Sequence, residues 1–226
     1  METVRDAVLL ESRAHGKWML FHFAKQNRHA WVGVHLGMTG KLRCESAEYR
    51  PGRHDQFVLR QESRTLIFTD PRQFGRVTFH QGAAPPDWWT QFPPGIASRA
   101  FTPQRVEEFL RRRARAPIKA VLLMQETFPG IGNWMADEIL WRARIHPARK
   151  AGEVASQAAP LWKELRWVAL AALRIVGKTF SDPPQSWLFP HRWQRGGKCP
   201  RDGAMLRQAT VGGRTTVWCP KCQAAK

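Results

Sequence analysis

The C-terminal stretch from Lys198 to Lys226 constrains this chain more than any other. Cys199 and Asp202 open it, Cys219 and Cys222 close it, and the residues from Met205 to Trp218 alternate in polarity around the Gly212-Gly213 pair. Two alternating runs joined by a two-glycine turn predict a β-hairpin, and metal-binding side chains at its open end predict a clip. The spacing C-x2-D-x16-C-x2-C is that of a zinc ribbon with one ligand exchanged, because Asp202 stands where a regular ribbon has cysteine. A carboxylate oxygen can ligate zinc, so Cys199, Asp202, Cys219 and Cys222 form a candidate Zn2+ site, although thiolate is the stronger partner. In the plainest reading the metal holds together a hairpin whose own core is too small to do so. Arg214, beside the turn, is the residue such a hairpin would hold out.

The 226 residues carry a formal charge of +18 and a pI near 11.1. With 43% hydrophobic residues the chain reads as folded, long enough for one large domain or two modest ones. An excess of Lys and Arg on this scale points to a polyanion, nucleic acid first, because phosphate contacts release condensed counterions. A ribosomal or membrane-surface protein could share that charge. No apolar run reaches transmembrane length and no signal-peptide pattern opens the chain, so no membrane partner and a cytoplasmic location are expected. Of four cysteines, three lie in the terminal cluster, which argues for metal rather than disulfides. Cys44 is left over and reads as a buried or half-buried thiol.

Short aromatic and β-branched runs, Trp18 to Phe23, Ala30 to Leu36, Gln56 to Arg60 and Thr65 to Phe68, predict a β-rich domain over residues 1–82. Residues 83–101 are rich in Pro and Trp and read as an irregular linker. The period then becomes helical. Thr102-Pro103 is an N-cap followed by proline at the first helical position, Pro117 opens a helix over Ile118 to Glu126, and a longer helix is expected from about Ala155 to Val176. Residues 102–190 thus form a helical domain and 191–226 the metal hairpin.

Between two of these helices, Phe128-Pro129-Gly130-Ile131-Gly132-Asn133 makes a glycine-rich joint. Such a joint lets backbone approach a phosphate and presents the free N–H groups of the next helix to it, with Asn133 as a further donor. An ordinary helix hairpin with glycine caps has the same spacing. Arg111, Arg112, Arg113, Arg115 and Lys119 nearby favour phosphate, though a run of arginines cannot all touch one backbone.

The joint and the helix after it, Phe128 to Pro147, resemble the helix-two-turn-helix of the formamidopyrimidine-DNA glycosylase and endonuclease VIII family. His35 to Gly40, His54-Asp55, Thr69 to Gly75 and the terminal hairpin resemble other family motifs, in the same order, from about Leu9 to Gln223. The resemblance implies an α+β multidomain fold, a β-sandwich-like N-terminal domain facing a helical domain with a zinc hairpin across a basic cleft. It implies a monomeric, nucleoid-associated base-excision-repair enzyme that excises oxidised bases from damaged double-stranded DNA and cleaves the abasic site through a Schiff base.

By the same resemblance Met38, Arg72 and Phe74 fill the void left by a flipped base, a step that costs a few kcal/mol of stacking. Core packing is the alternative for Met38 and Phe74, but a Gly-Met-Thr-Gly turn is a poor core site. His54, Arg115, Lys119 and Asn133 would be backbone contacts, Arg214 would grip the phosphate beside the lesion, and Lys17 would sit near the sugar and its phosphate. Lys17 and Arg214 are therefore the catalytic-site candidates.

Family members begin with Pro-Glu after the removed Met, the proline amine being the nucleophile and the glutamate a proton shuttle. This chain begins Met1-Glu2-Thr3-Val4-Arg5. Judged from Lys17, roughly forty residues of the usual N-terminal domain are expected to be missing, leaving an exposed sheet edge and a tendency to aggregate. A non-catalytic DNA-binding protein is the alternative to an active enzyme. The segment from Phe180 to Arg195 is short for the loop that covers an oxidised purine in some members, which leaves the preferred lesion open.

Overall fold

The computed structural model describes residues 4–177, 179 and 181–225, so the expectations resting on Met1, Glu2, Thr3 and Phe180 lie outside the described residues. The chain divides after Phe92 into two compact units.

In the first unit the strands are β1 (Val8–His15), β2 (Trp18–Lys25), β3 (Arg28–His35), β4 (Lys41–Ser46), β5 (Asp55–Arg60), β6 (Arg64–Thr69) and β7 (Arg76–Gln81); the four aromatic and β-branched runs are β2, β3, β5 and β6. They pair antiparallel in two sheets, ordered β1-β2-β3-β7 and β4-β6-β5. Phe21, Phe23, Val32 and Val34 of the first sheet share a core with Phe68 of the second, the face-to-face arrangement of a sandwich. β3 is buried without interruption from Ala30 to Val34 because it lies inside its sheet with both faces covered.

Gly33 shows how close that covering is: a Cβ there would lie 2.5 Å from Thr78 Oγ1 and 2.7 Å from the Trp88 ring. Trp88 belongs to a one-turn helix, α1 (Asp87–Thr90), and its ring packs 4.8 Å from Trp18, while Phe92 stacks on His15 at 4.9 Å. The first half of the Pro- and Trp-rich stretch therefore closes the outer face of the first sheet, which accounts for two of the eleven tryptophans. Its second half gives Ile96 and Phe101 to the core of the other unit.

Cys44 departs from the expectation of burial. It lies on β4, an edge strand, and its side chain is exposed. β1 is also an edge, and its Val8, Leu9 and Leu10 are exposed apolar residues open to pairing with another strand.

The second unit holds α2 (Pro103–Arg112), α3 (Ile118–Leu122), α4 (Asn133–Arg142), α5 (Ala151–Val154), α6 (Ala158–Ala172), α7 (Leu188–His191) and the hairpin β8 (Arg207–Val211) and β9 (Arg214–Trp218). Thr102 Oγ1 accepts from Arg105 N at 3.3 Å, with Pro103 as first helical residue, which fixes the start of α2. α3 stops at Leu122, short of the expected end at Glu126. Gln125 is the reason: its Nε2 donates to the carbonyls of Leu123 and Ile131 and its Oε1 accepts from Gly130 N, so its side chain replaces the helical ladder and closes the joint. The long helix is α6, entered by a 3-10 turn at Ala155–Gln157 and left by a π turn at Leu173–Gly177. No helix among the described residues is long and apolar enough to cross a membrane.

Candidate nucleic-acid interface and metal centre

In the first unit a buried carboxylate organises the residues read as void fillers. Asp70, 1% exposed, accepts from Gly75 N at 2.6 Å through Oδ2 and from Thr39 Oγ1 at 3.4 Å through Oδ1, and its own N–H donates to His54 O at 2.9 Å. One residue thus joins the loop after β3, the loop after β6 and the turn before β5. The two loops meet backbone to backbone, since a Cβ on Gly37, at φ +67, would lie 2.6 Å from the Phe74 carbonyl carbon. What they present is apolar. Met38 is 64% and Phe74 56% exposed, and the Arg72 guanidinium lies 4.9 Å over the Phe74 ring.

His54 and Lys17 are exposed in the same unit. Lys17 follows Gly16 in the turn between β1 and β2, close enough to His35 to matter. Burial first, then the charges of Lys17 and Arg76, hold the His35 imidazole below its ordinary pKa.

In the second unit the joint delivers the N-terminus of α4. Gly130 has φ +90, and Gly132, the residue before the helix, has open space where a Cβ would be. No side chain caps α4, so its first N–H groups are available to an anion. Asn133 Nδ2 donates to Thr215 O at 2.8 Å, tying the helix start to β9. Gly212 and Gly213 turn the hairpin with φ +59 and +75, as a two-residue hairpin turn requires, and Arg214 follows them, exposed. Arg115 is exposed in the loop between α2 and α3.

Lys119 is elsewhere than a phosphate contact requires. It is fully buried, with Nζ 2.6 Å from Asn133 O and 2.6 Å from Asp137 Oδ1. Burial lowers its pKa, and the Asp137 charge works against that shift. Its position at the start of α3 points it inward beneath the helix-two-turn-helix joint, which a lysine in a basic stretch of sequence does not reveal.

The hairpin lies along α4. Trp141 Nε1 donates to Cys199 Sγ at 3.3 Å, Gln223 Nε2 to Ile145 O at 2.8 Å, and the His146 and Trp218 rings meet edge on at 5.3 Å. At its open end the donor atoms of Cys199, Asp202, Cys219 and Cys222 all fall within 4.8 Å of one another. Thiolates bound to one tetrahedral ion at about 2.3 Å lie about 3.8 Å apart. Cys199 and Cys222 Sγ are 3.8 Å apart, and Cys219 Sγ lies 3.4 Å from Asp202 Oδ2. The indole of Trp141 and the Cys222 N–H, which donates to Cys219 Sγ at 3.3 Å, supply the donors that thiolates accept. As thiols the group is strained against itself: burial, then the Asp202 hydrogen bond, pushes Cys222 up to about 12. A divalent cation reverses that balance. The cluster fits a metal ion.

Two family models cover most of the chain. Residues 1–77 match the formamidopyrimidine-DNA glycosylase N-terminal domain and residues 93–183 its H2TH domain. The formamidopyrimidine-DNA glycosylase of Roseiflexus sp. is 39% identical over 204 residues, 85% of this chain and 74% of that relative. The chain belongs to the formamidopyrimidine-DNA glycosylase family. The corresponding protein of Thermus thermophilus is 36% identical over 95% of this chain and 82% of its own. The solved MutM (Fpg) structure from that organism matches with a TM-score of 0.80 at 32% identity, over 97% of this chain and 84% of the other. The Lactococcus lactis Fpg in complex with DNA containing an abasic site matches with a TM-score of 0.85 at 25% identity, over 97% of this chain and 83% of that one.

Within this glycosylase fold, three residues that hold the others in place escaped the sequence reading. Asp70 was legible as part of the family-like motif Thr69 to Gly75, but not as the tie between two loops. Gln125 and Asp137 gave no signal, because a polar residue inside a helical pattern reads as solvent-facing.

Proposed function

We propose that this chain is a base-excision-repair DNA glycosylase that releases an oxidised base from damaged duplex DNA, then cleaves the abasic site as an AP lyase. The observation that carries this reading is the pair Met38 and Phe74, more than half exposed yet on loops held fast by buried Asp70. Apolar side chains kept in solvent on anchored loops have no use in the fold, and wedging into a base stack is what they are shaped for. Arg72, over Phe74, supplies a guanidinium for the base left unpaired.

The remaining assignments follow family membership. Lys17 approaches the sugar and its phosphate. His54, Arg115 and the Asn133 end of α4 bind the backbone, and Arg214 grips the phosphate beside the lesion. Lys119 supports Asn133 from beneath. Zinc, held by Cys199, Asp202, Cys219 and Cys222, fixes the hairpin and takes no part in bond breaking. The lyase step needs an amine that adds to the C1′ aldehyde with loss of water, after which loss of a C2′ proton from the iminium expels the 3′ phosphate; none of the residues assigned above is that amine. The Lactococcus lactis enzyme has been solved with DNA containing an oxidised pyrimidine, which supports an oxidised base as substrate. The protein works as a monomer in the cytoplasm on nucleoid DNA.

Borohydride trapping tests the chemistry. A covalent protein–DNA adduct on an abasic-site duplex, with base release from an oxidised duplex, is expected. Lesion binding without adduct or release would leave a protein that recognises damage and cuts nothing. The double variant Met38→Ala and Phe74→Ala should slow base release at least about tenfold, in line with loss of a wedge that offsets a few kcal/mol of unstacking. An unchanged rate would remove that role.

A further inference from the structure

Beneath the exposed contacts of the second unit lies a buried ionic group that the proposed chemistry does not use. Asp137, on α4, is 1% exposed and spends both oxygens. Oδ1 accepts from Lys119 Nζ at 2.6 Å, and Oδ2 accepts from Arg192 Nη2 at 2.7 Å, Arg192 Nε at 3.2 Å and Val217 N at 3.2 Å. Lys119 comes from α3, Arg192 from the residue after α7, and Val217 from β9. One carboxylate therefore ties its own helix to three segments that are remote in sequence.

The two arms of this group end at two different surface residues. Through Lys119 Nζ, which also donates to Asn133 O at 2.6 Å, it fixes the first residue of α4. Through Val217 N it fixes β9 three residues beyond Arg214. Asn133 Nδ2 closes the circuit on Thr215 O of the same strand. A buried ion pair with an uncompensated second cation contributes little net stability, since desolvation offsets most of its attraction. What it supplies is register, because few other arrangements give the Asp137 carboxylate donors from α3, Arg192 and β9 at once.

We infer that Asp137, with Lys119 and Arg192, is a positioning centre that sets Arg214 and Asn133 at the separation of two contacts on one DNA backbone. The inference rests on the reading of those two residues as phosphate contacts. It makes Lys119 matter to DNA binding without touching DNA. It also explains why a glycine is needed at 212, where a Cβ would meet Ala120 Cβ of α3 at 2.5 Å: the hairpin tip is seated directly on the helix that carries Lys119.

The test is a pair of double-mutant cycles on the full chain with its metal, read as affinity for an abasic-site duplex across a salt series. Arg192→Met and Lys119→Met each leave Asp137 one cation, and metal content and thermal melting identify the folded variants. In the unmodified background, Arg214→Ala should weaken binding about tenfold and lower the salt slope by about one. With Arg192→Met present, Arg214→Ala should cost less than about twofold and leave the slope alone, since the side chain is already out of place. With Lys119→Met present, Asn133→Ala should lose its effect in the same way. Either folded background suffices. Equal cost of the surface mutation in both backgrounds would mean that the buried group contributes fold stability only, and the positioning role falls. No effect of Arg214→Ala or Asn133→Ala even in the unmodified chain would remove the phosphate contacts themselves, and the positioning role with them.

Discussion

Glu138 neighbours Asp137 on α4 and shows the opposite outcome for a buried carboxyl. Its Oε2 accepts from Phe189 N at 3.2 Å, Oε1 has no hydrogen-bond partner among the described residues, and burial raises its pKa from 4.5 to about 7 against the pull of Arg142 and the Leu188 and Phe189 backbone. Because the folded value lies above the unfolded one, the folded chain holds the proton more tightly between pH 4.5 and 7, so stability falls as pH rises through that window. Glu138→Gln should abolish that fall and gain up to about 3 kcal/mol at about pH 8, with no gain below about pH 4.5. Urea midpoints at the two ends of that range measure it, and an unchanged pH slope in the variant would count against a buried ionised Glu138. At the metal, Asp202→Cys should raise zinc affinity at least about tenfold, thiolate being the stronger ligand, as competition with a chromogenic chelator would report. Residues whose placement follows from an unusual setting in the sequence were legible: Met38 exposed in a glycine turn, Arg214 exposed beside a hairpin tip, Asp202 clustered with three cysteines. Asp137, Glu138 and Lys119 were not, because sequence spacing gives a side chain's face on its own helix and not what the next segment packs against it.

Elements were legible where a period ran long enough and blurred where one side chain overrode it. β2, β3, β5 and β6 follow their aromatic and β-branched runs, β1, β4 and β7 lie outside those runs, and Thr102-Pro103 marks the start of α2 as read. The early end of α3 depends on Gln125 reaching across the joint, a tertiary act with no local pattern. The one-turn helix at Trp88 exists because two aromatic side chains need a sheet to lie on. The hairpin turn offers a sharper test of element placement. Gly212 and Gly213 share left-handed backbone, but a Cβ meets Ala120 at 2.5 Å at the first and nothing within 4 Å at the second. Gly213→Ala should therefore cost only the left-handed strain, about 1 kcal/mol, and leave DNA affinity near normal. Gly212→Ala adds displacement of the tip from α3 and should cost about 2 to 3 kcal/mol, with clear loss of DNA affinity. Denaturation midpoints and binding curves for the pair would separate strain from seating, and equal behaviour of the two variants would show that the tip is not seated on α3.

On the scale of the whole molecule, charge and the candidate metal site are concentrated in one unit. Residues 93–226 hold 23 of the 36 Lys and Arg and 9 of the 18 Asp and Glu, so +14 of the +18 lies beyond Phe92. That unit also contains the small apolar cluster of Trp141, Leu188, Cys199 and Cys219, in which two of four buried residues belong to the candidate metal site. A core of that size cannot hold a hairpin without its ion. The cores of the two units share no residue, the first centred on Phe21, Val32 and Phe68, the second on α2, α3, α4 and α6. Removing the metal should therefore act selectively. A chelator strong enough to strip zinc should lower the melting transition of the second unit, leave that of the first in place, and free the hairpin from α4. Arg214 then loses its anchorage, and affinity for an abasic-site duplex should fall about tenfold, as for Arg214→Ala, while the preference over undamaged duplex carried by Met38, Arg72 and Phe74 of the first unit is kept. Calorimetry with and without chelator, beside binding to both duplexes, reads each part, and re-addition of zinc should restore both. Loss of affinity without any shift in melting would place the metal's effect outside the fold of the hairpin. A uniform drop of both transitions would mean that the two units melt as one.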